Sequence, residues 1–194
     1  MAANLSYDPV TKHVSALDTS EGYIEEVDAL NRLTKDLVSS GLEVPENGEP
    51  SKQQTAMIQK LVNSAMDAMK RRAYAEAIKN ITVAIDAASR RKRWEAFQVQ
   101  LQELIGFLQL RTDAYMLSAK YADALVDADL LLLMTALTAE NFLRKGIALL
   151  NLGRYDEARV VFERGLCFHE GNDKLVQHLA VSKKLIAEEN GDAV

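Results

Sequence analysis

Thiol and imidazole chemistry in this 194-residue chain rests on one cysteine and three histidines. Cys167 stands two residues from His169 at what reads as a helix end, so a thiolate and its base would have to be brought together within one turn. The simpler reading makes Cys167 a buried filler between Leu166 and Phe168, since a free thiol packs as a small hydrophobe. A lone cysteine supports neither an internal disulfide nor a thiolate metal cluster, which fits a reducing compartment. His13, His169 and His178 fall in a hairpin, a helix end and a terminal helix, and no two share metal-ligand spacing on one helix. The close acids Asp127 with Asp129 and Glu188 with Glu189 point apart on helices, as solvated faces do. With no Gly-rich phosphate loop, no GxSxG elbow and no CxxC pair, the sequence predicts no enzyme, no cofactor and no metal.

Charge offers a different chemistry. The run Arg90-Arg-Lys-Arg93 beside Trp94 would suit a polyanion, but no second basic stripe accompanies it, and a single cluster neutralises few phosphates. It reads as a solvated helix end, and nucleic acid is not an expected partner. The net charge of −5 is unevenly spread. Residues 1–50 hold ten acids and three bases, while residues 51–194 hold eighteen acids and twenty bases. Two functional regions are expected, the second able to receive an acidic ligand. Met1–Asp8 lacks a basic region ahead of an apolar one, so no secretory signal is expected. The longest apolar stretch, Ala128–Ala139, is interrupted by Asp129 and is shorter than the roughly 20 residues a membrane span needs.

The elements that position these groups are set by an internal repeat. Tyr74-Ala-Glu-Ala77, Tyr121-Ala-Asp-Ala124 and Tyr155-Asp-Glu-Ala158 share Tyr, any residue, acid, Ala, at intervals of 47 and 34 residues. Thirty-four is the period of the tetratricopeptide repeat, two antiparallel helices per unit. The fold class is therefore mainly α: a tetratricopeptide-repeat helical array over residues 53–194. In the third and clearest unit, Gly146 and Gly165 sit where helices cross and Gly153 makes the turn; Ala65 and Thr112 replace Gly146 in the other two. The extra thirteen residues lie around Ser89–Leu101 and should lengthen the helices flanking the first inter-repeat turn by three to four turns in all. Asn172 or Asp173 caps a final helix with Leu175, Leu179, Leu185 and Ile186 on one stripe, the C-terminal capping helix an array needs.

The N-terminal region, residues 1–44, is of another kind. Leu5–Asp8 and His13–Ala16 alternate on either side of Pro9–Lys12 and predict a small β-hairpin. Ser20 caps a helix running to about Ser39, with Ile24, Val27, Leu30, Leu33 and Leu37 at helical spacing; Gly41 ends it, and residues 45–52 form a linker. The hairpin is too short to cover that apolar stripe, so these five residues are the expected partner interface.

Repeat arrays of this kind bind extended peptides on the concave face, lined by the first helix of each unit. Those helices run about 56–72, 101–119 and 140–152, and their facing residues include Asn63, Met66, Lys70, Gln109, Asp113, Arg144 and Asn151. Amide and cationic donors beside a methionine suit a carboxylate-ended peptide with an apolar neighbour.

Taken together, the acidic hairpin-and-helix start, the Pro-bounded linker, Arg91-Lys-Arg-Trp94-Glu-Ala-Phe97 with Glu103-Leu104, and Val160-Val-Phe-Glu163-Arg164-Gly165-Leu166 resemble a known family. It is the cytosolic tetratricopeptide subunit of the fungal endoplasmic-reticulum post-translational translocation complex. The resemblance implies a peripheral, non-enzymatic adaptor on the cytoplasmic face of that membrane. It would be held by a membrane-anchored partner subunit and would receive the C-terminal acidic tails of cytosolic DnaK-type chaperones. The alternative is a purely structural scaffold subunit. Chaperone-binding domains of this kind hold tail carboxylates with Lys and Asn on the first unit, Asn on the second, and Lys and Arg on the third. The corresponding positions here carry Val62, Met66, Leu110, Glu140 and Arg144. Only Arg144 matches, so a tail would be held differently, with Asn63, Lys70 and Gln109 assisting.

Overall fold

A computed structural model describes residues 5–16, 21–40, 50–91, 97–135 and 138–191. Among them are eight helices and one two-stranded sheet, the mainly α class the repeat predicts. The chain divides into two compact units, Met1–Pro50 with Arg91–Phe97 and Ser51–Arg90 with Gln98–Val194.

In the N-terminal unit, β1 (Leu5–Asp8) pairs antiparallel with β2 (His13–Ala16), Leu5 opposite Ala16 and Asp8 opposite His13. Asp8 fixes the turn: its carboxylate accepts the Val10 N–H at 2.8 Å and the Thr11 hydroxyl at 2.7 Å, and Lys12 takes the left-handed conformation at φ 58°. These bonds hold the Asp8 pKa below the ordinary carboxylate value, the Thr11 hydroxyl contributing most. Helix α1 (Glu21–Ser40) is tied to the hairpin by Asn31. Its Oδ1 accepts the Val14 N–H and its Nδ2 donates to the Val14 carbonyl, both at 2.8 Å, so one side-chain amide satisfies the outward backbone groups of β2. The expected Ser20 cap, the Gly41 stop and the linker up to Glu49 lie outside the described residues.

The second unit contains α2 (Lys52–Lys70), α3 (Tyr74–Ser89), α4 (Phe97–Leu117), α5 (Tyr121–Met134), α6 (Ala139–Asn151), α7 (Tyr155–Phe168) and α8 (Asp173–Asn190). The three repeat tyrosines open α3, α5 and α7. One turn precedes each of them. Arg72, Ala119 and Gly153 sit two residues before the tyrosine at φ 60°, 57° and 73°. Ala73, Lys120 and Arg154 donate back to the carbonyls of Ala68, Tyr115 and Leu149 at 2.9 Å. Glycine is at home in that conformation and the other two residues are not, which explains why the third repeat is the easiest to read.

In two of the helix pairs a small residue packs against a partner sixteen positions later: Ala65 shares a buried cluster with Ile81, and Gly146 faces Phe162. In the third repeat a Cβ on Gly146 would lie 2.2 Å from the Phe162 ring, so the larger partner goes with the smaller residue. The corresponding residues of the second repeat, Thr112 and Ala128, are each fully buried. The Thr112 hydroxyl donates to the Leu108 carbonyl at 2.7 Å, so its polarity is satisfied within the helix. Helix α8 closes the array as predicted. Asn172 accepts the Leu175 N–H at 3.1 Å, and Leu175 is fully buried beside Gly165 and Phe142.

Three expectations change. Cys167 is exposed, not buried: α7 turns Phe162 and Gly165 inward, and five residues beyond Phe162 is about 140° round the helix. The Arg90–Arg93 run is not uniformly solvated, because Arg91 is buried while Arg90 pairs with Asp86 at the end of α3. The insertion lengthens α4 to 21 residues against 13 in α6, about two turns, and residues 92–96 lie outside the described set.

Candidate functional site

The first helices of the repeats, α2, α4 and α6, carry the predicted peptide-binding residues. On α2, Asn63, Met66 and Lys70 are exposed at i, i+3 and i+7, one stripe of a helix. Their polar groups have local partners: Asn63 accepts from the Gln59 amide at 3.0 Å, and Lys70 meets Asp67 at 3.1 Å in an exposed pair. Gln109 on α4 is half-buried, and Asn151 at the end of α6 donates to the Ile147 carbonyl at 2.8 Å.

Only Arg144 is drawn into a network that joins repeats. Its Nε and Nη2 donate to the two carboxylate oxygens of Asp113 on α4, at 2.8 and 3.1 Å, and its Nη1 donates to Asn141 Oδ1 at 3.2 Å. Asn141 is fully buried and its own amide donates to the Thr135 hydroxyl at 2.8 Å. Glu140, one turn earlier on α6, stays exposed. Asp113 reaches the guanidinium from the neighbouring repeat and grips it through two parallel bonds. One hydrogen remains on each terminal nitrogen of Arg144, so a further carboxylate can approach end-on beside a negative charge already in place. The signal for this pair was a pair of opposite charges on successive first helices, three residues out of the repeat register. Which way each helix turns its charge was not visible.

A second bidentate pair lies deeper. Arg111 donates to both oxygens of Asp127 at 2.7 Å and to the Thr82 hydroxyl at 3.2 Å, with its guanidinium over the Tyr115 ring. The Asp127 hydrogen bonds raise the Arg111 pKa further, and burial raises that of Tyr115. Asp127 is 5% exposed and Arg111 17%, so Asp127 is not on the solvated face its sequence position suggested; the pair locks α3, α4 and α5 and has little capacity for ligand. Of the positions where related domains place clamp residues, Val62 and Leu110 pack against the hydrophobic core, and Met66 and Glu140 are exposed.

The apolar stripe of α1 divides into two sets. Val27, Leu33 and Leu37 are half-buried, whereas Ile24 and Leu30 stay 42% and 44% exposed. Among the described residues, no helix is long and apolar enough to cross a membrane and no group of three acids, histidines or cysteines could hold a metal.

No family model matches the sequence. The chain is 33% identical over 193 residues to the translocation protein Sec72 of Saccharomyces cerevisiae, covering 97% of this chain and 98% of that one. One chain in the cryo-EM structure of the S. cerevisiae Sec complex superposes with a TM-score of 0.79 at 32% identity, covering 96% of this chain and all of that one. The second tetratricopeptide domain of human RPAP3, solved with the HSP70 peptide SGPTIEEVD, matches with a TM-score of 0.51 at 25% identity over 65% of this chain and 98% of that domain. Identity of about one residue in three over 97% of this chain and 98% of its relative makes this chain a member of the Sec72 translocation-protein family.

Proposed function

We propose that the chain is a non-enzymatic adaptor subunit of the endoplasmic-reticulum post-translational translocation complex, peripheral on the cytoplasmic face of that membrane. Its N-terminal unit docks on a membrane-anchored partner subunit. Its repeats hold the C-terminal acidic tails of cytosolic DnaK-type chaperones, delivering preproteins to the channel. The observation that carries this reading is the match to Sec72 along the full length of both chains. At the level of residues, Arg144 supports it as a guanidinium with two hydrogens still to give, on the helix face that lines the groove in this fold. Asn63, Met66, Lys70, Gln109 and Asn151 would contact the rest of a tail; Ile24 and Leu30, with the half-buried Val27, Leu33 and Leu37, would meet the anchored partner.

Titration of the labelled peptide SGPTIEEVD onto the full chain tests the reading. A charged hydrogen bond is worth roughly 1.5–3 kcal/mol, so Arg144→Met should weaken binding about tenfold to a hundredfold. Asp113→Asn should tighten it by removing the competing carboxylate. The scaffold reading is favoured by one observation, the internal pairing of Arg144 with Asp113. Equal affinity in wild type and Arg144→Met at unchanged melting temperature, or no binding at all, decides for the scaffold.

A further inference from the structure

Residues 1–50 contain only three bases, Lys12, Arg32 and Lys35, and one histidine, His13, against ten acids. All four line a single cleft of about 580 Å3 between the hairpin turn and the second half of α1. None of the three bases forms an ion pair among the described residues, although acids surround them in sequence, whereas the repeat unit pairs its cations repeatedly, as in Arg111 with Asp127 and Arg144 with Asp113.

The local geometry keeps these charges available. Asp8, the acid nearest the turn, spends both oxygens on Val10 and Thr11. Arg32 gives only its Nε to a carbonyl, that of Asp28, at 3.3 Å. The His13 ring is steadied by the Asn31 amide nitrogen at 3.2 Å from its Nε2. Asp28 is the one acid on the wall, and Val38, 64% exposed, supplies an apolar patch.

We propose that this cleft is a docking site for an acidic peptide segment of a partner protein, its carboxylates taken by Lys12, Arg32 and Lys35 and an apolar neighbour resting on Val38. This site goes beyond the chaperone-tail reading and does not depend on it. Charge decides the class of partner. An anionic membrane is a broad surface and meets the whole unit, whose net charge is strongly negative. A single peptide entering the cleft meets mainly the cations within a screening length of about 8 Å.

The test uses the full chain and a fluorescein-labelled, C-terminally amidated octapeptide of Asp, Glu and Leu, so that no terminal carboxylate is offered to the repeats. Arg32→Gln with Lys35→Gln should weaken binding about tenfold, as should raising salt from about 0.05 to about 0.5 M. Lys12→Gln, on the other wall, should lower it further without touching α1, and Arg144→Met in the other unit should leave it unchanged. Circular dichroism should show α1 intact, since both of its substituted side chains are exposed. Wild-type affinity in the triple variant, loss of binding in Arg144→Met, or binding to equal-part phosphatidylcholine–phosphatidylserine vesicles without binding to the peptide would each overturn the proposal.

Discussion

The two units solve the problem of burial in opposite ways. Every core residue of the described chain lies in the repeat unit, from Ile58 to Leu175, together with buried polar groups such as Thr112 and Asn141 that have their partners inside it. The N-terminal hairpin and α1 hold no fully buried residue among those described. They are joined by polar devices, the Asp8 turn and the Asn31 bridge. A two-stranded sheet on one helix has little apolar area from which to draw stability. The repeat unit, by contrast, carries its apolar core within itself. The lack of ion pairs at Lys12, Arg32 and Lys35 among the described residues and the bidentate Arg111–Asp127 and Arg144–Asp113 pairs follow the same division.

The sharpest way to test the contrast is to disturb one packing contact in each unit. A Cβ at residue 146 would meet the Phe162 ring at 2.2–2.8 Å, and that ring is fully buried. Gly146→Ala should therefore destabilise the repeat unit by about 2–3 kcal/mol, the upper range for overpacking. Adding Phe162→Ile recreates the Ala–Ile pair of the first repeat and should recover much of the loss; chemical denaturation of the two single variants and the double variant measures the coupling. Leu30→Ala on the exposed side of α1 should move the same transition by less than about 0.5 kcal/mol. Equal costs in the two units, or no recovery in the double variant, would break the contrast.

What the sequence conveyed follows the same line. Tyr74, Tyr121 and Tyr155 announced the repeat because one turn, made three times, fixes an aromatic two residues after a left-handed residue. Gly146 and Gly165 were readable as close crossings because no other residue leaves that space. Cys167 was misplaced and the Arg144–Asp113 pair missed for a shared reason. Helical spacing places residues on a helix, but the rotation of that helix against its neighbours decides which way they face. Rotation follows from complementary sizes such as Gly146 with Phe162, and these become visible only when residues sixteen apart are compared across repeats.

A smaller effect probes the turns. Ala119 holds φ 57° without being glycine, at a cost of about 1–2 kcal/mol for an L residue, partly offset because glycine loses more freedom on folding. Ala119→Gly should stabilise the repeat unit by about 0.5–1 kcal/mol, read as a higher denaturation midpoint at unchanged slope. Destabilisation would mean that the alanine methyl contributes packing that outweighs the strain.

The smallest expected effect concerns pH. His178 on α8 stacks on Phe162 with ring centroids 5.6 Å apart, and burial lowers its pKa below the ordinary 6.5. An imidazole that resists protonation in the folded state binds its proton more readily in the unfolded chain. The unfolded state therefore takes up more protons on acidification, and stability falls with pH in that interval. The contribution is fully present above pH 6.5, declines as the pH drops through 6.5, and levels off below the folded pKa. Exposed carboxylates with lowered pKa, Glu157 paired with Arg154 among them, act in a more acidic window and do not obscure it. His178→Gln should flatten the decline between pH 7 and 5 while leaving the acid limb in place. Parallel melting curves for wild type and His178→Gln across that range would show that the stacked ring protonates as easily in the array as in the unfolded chain, and that the repeat unit is looser around Phe162 than its packing implies.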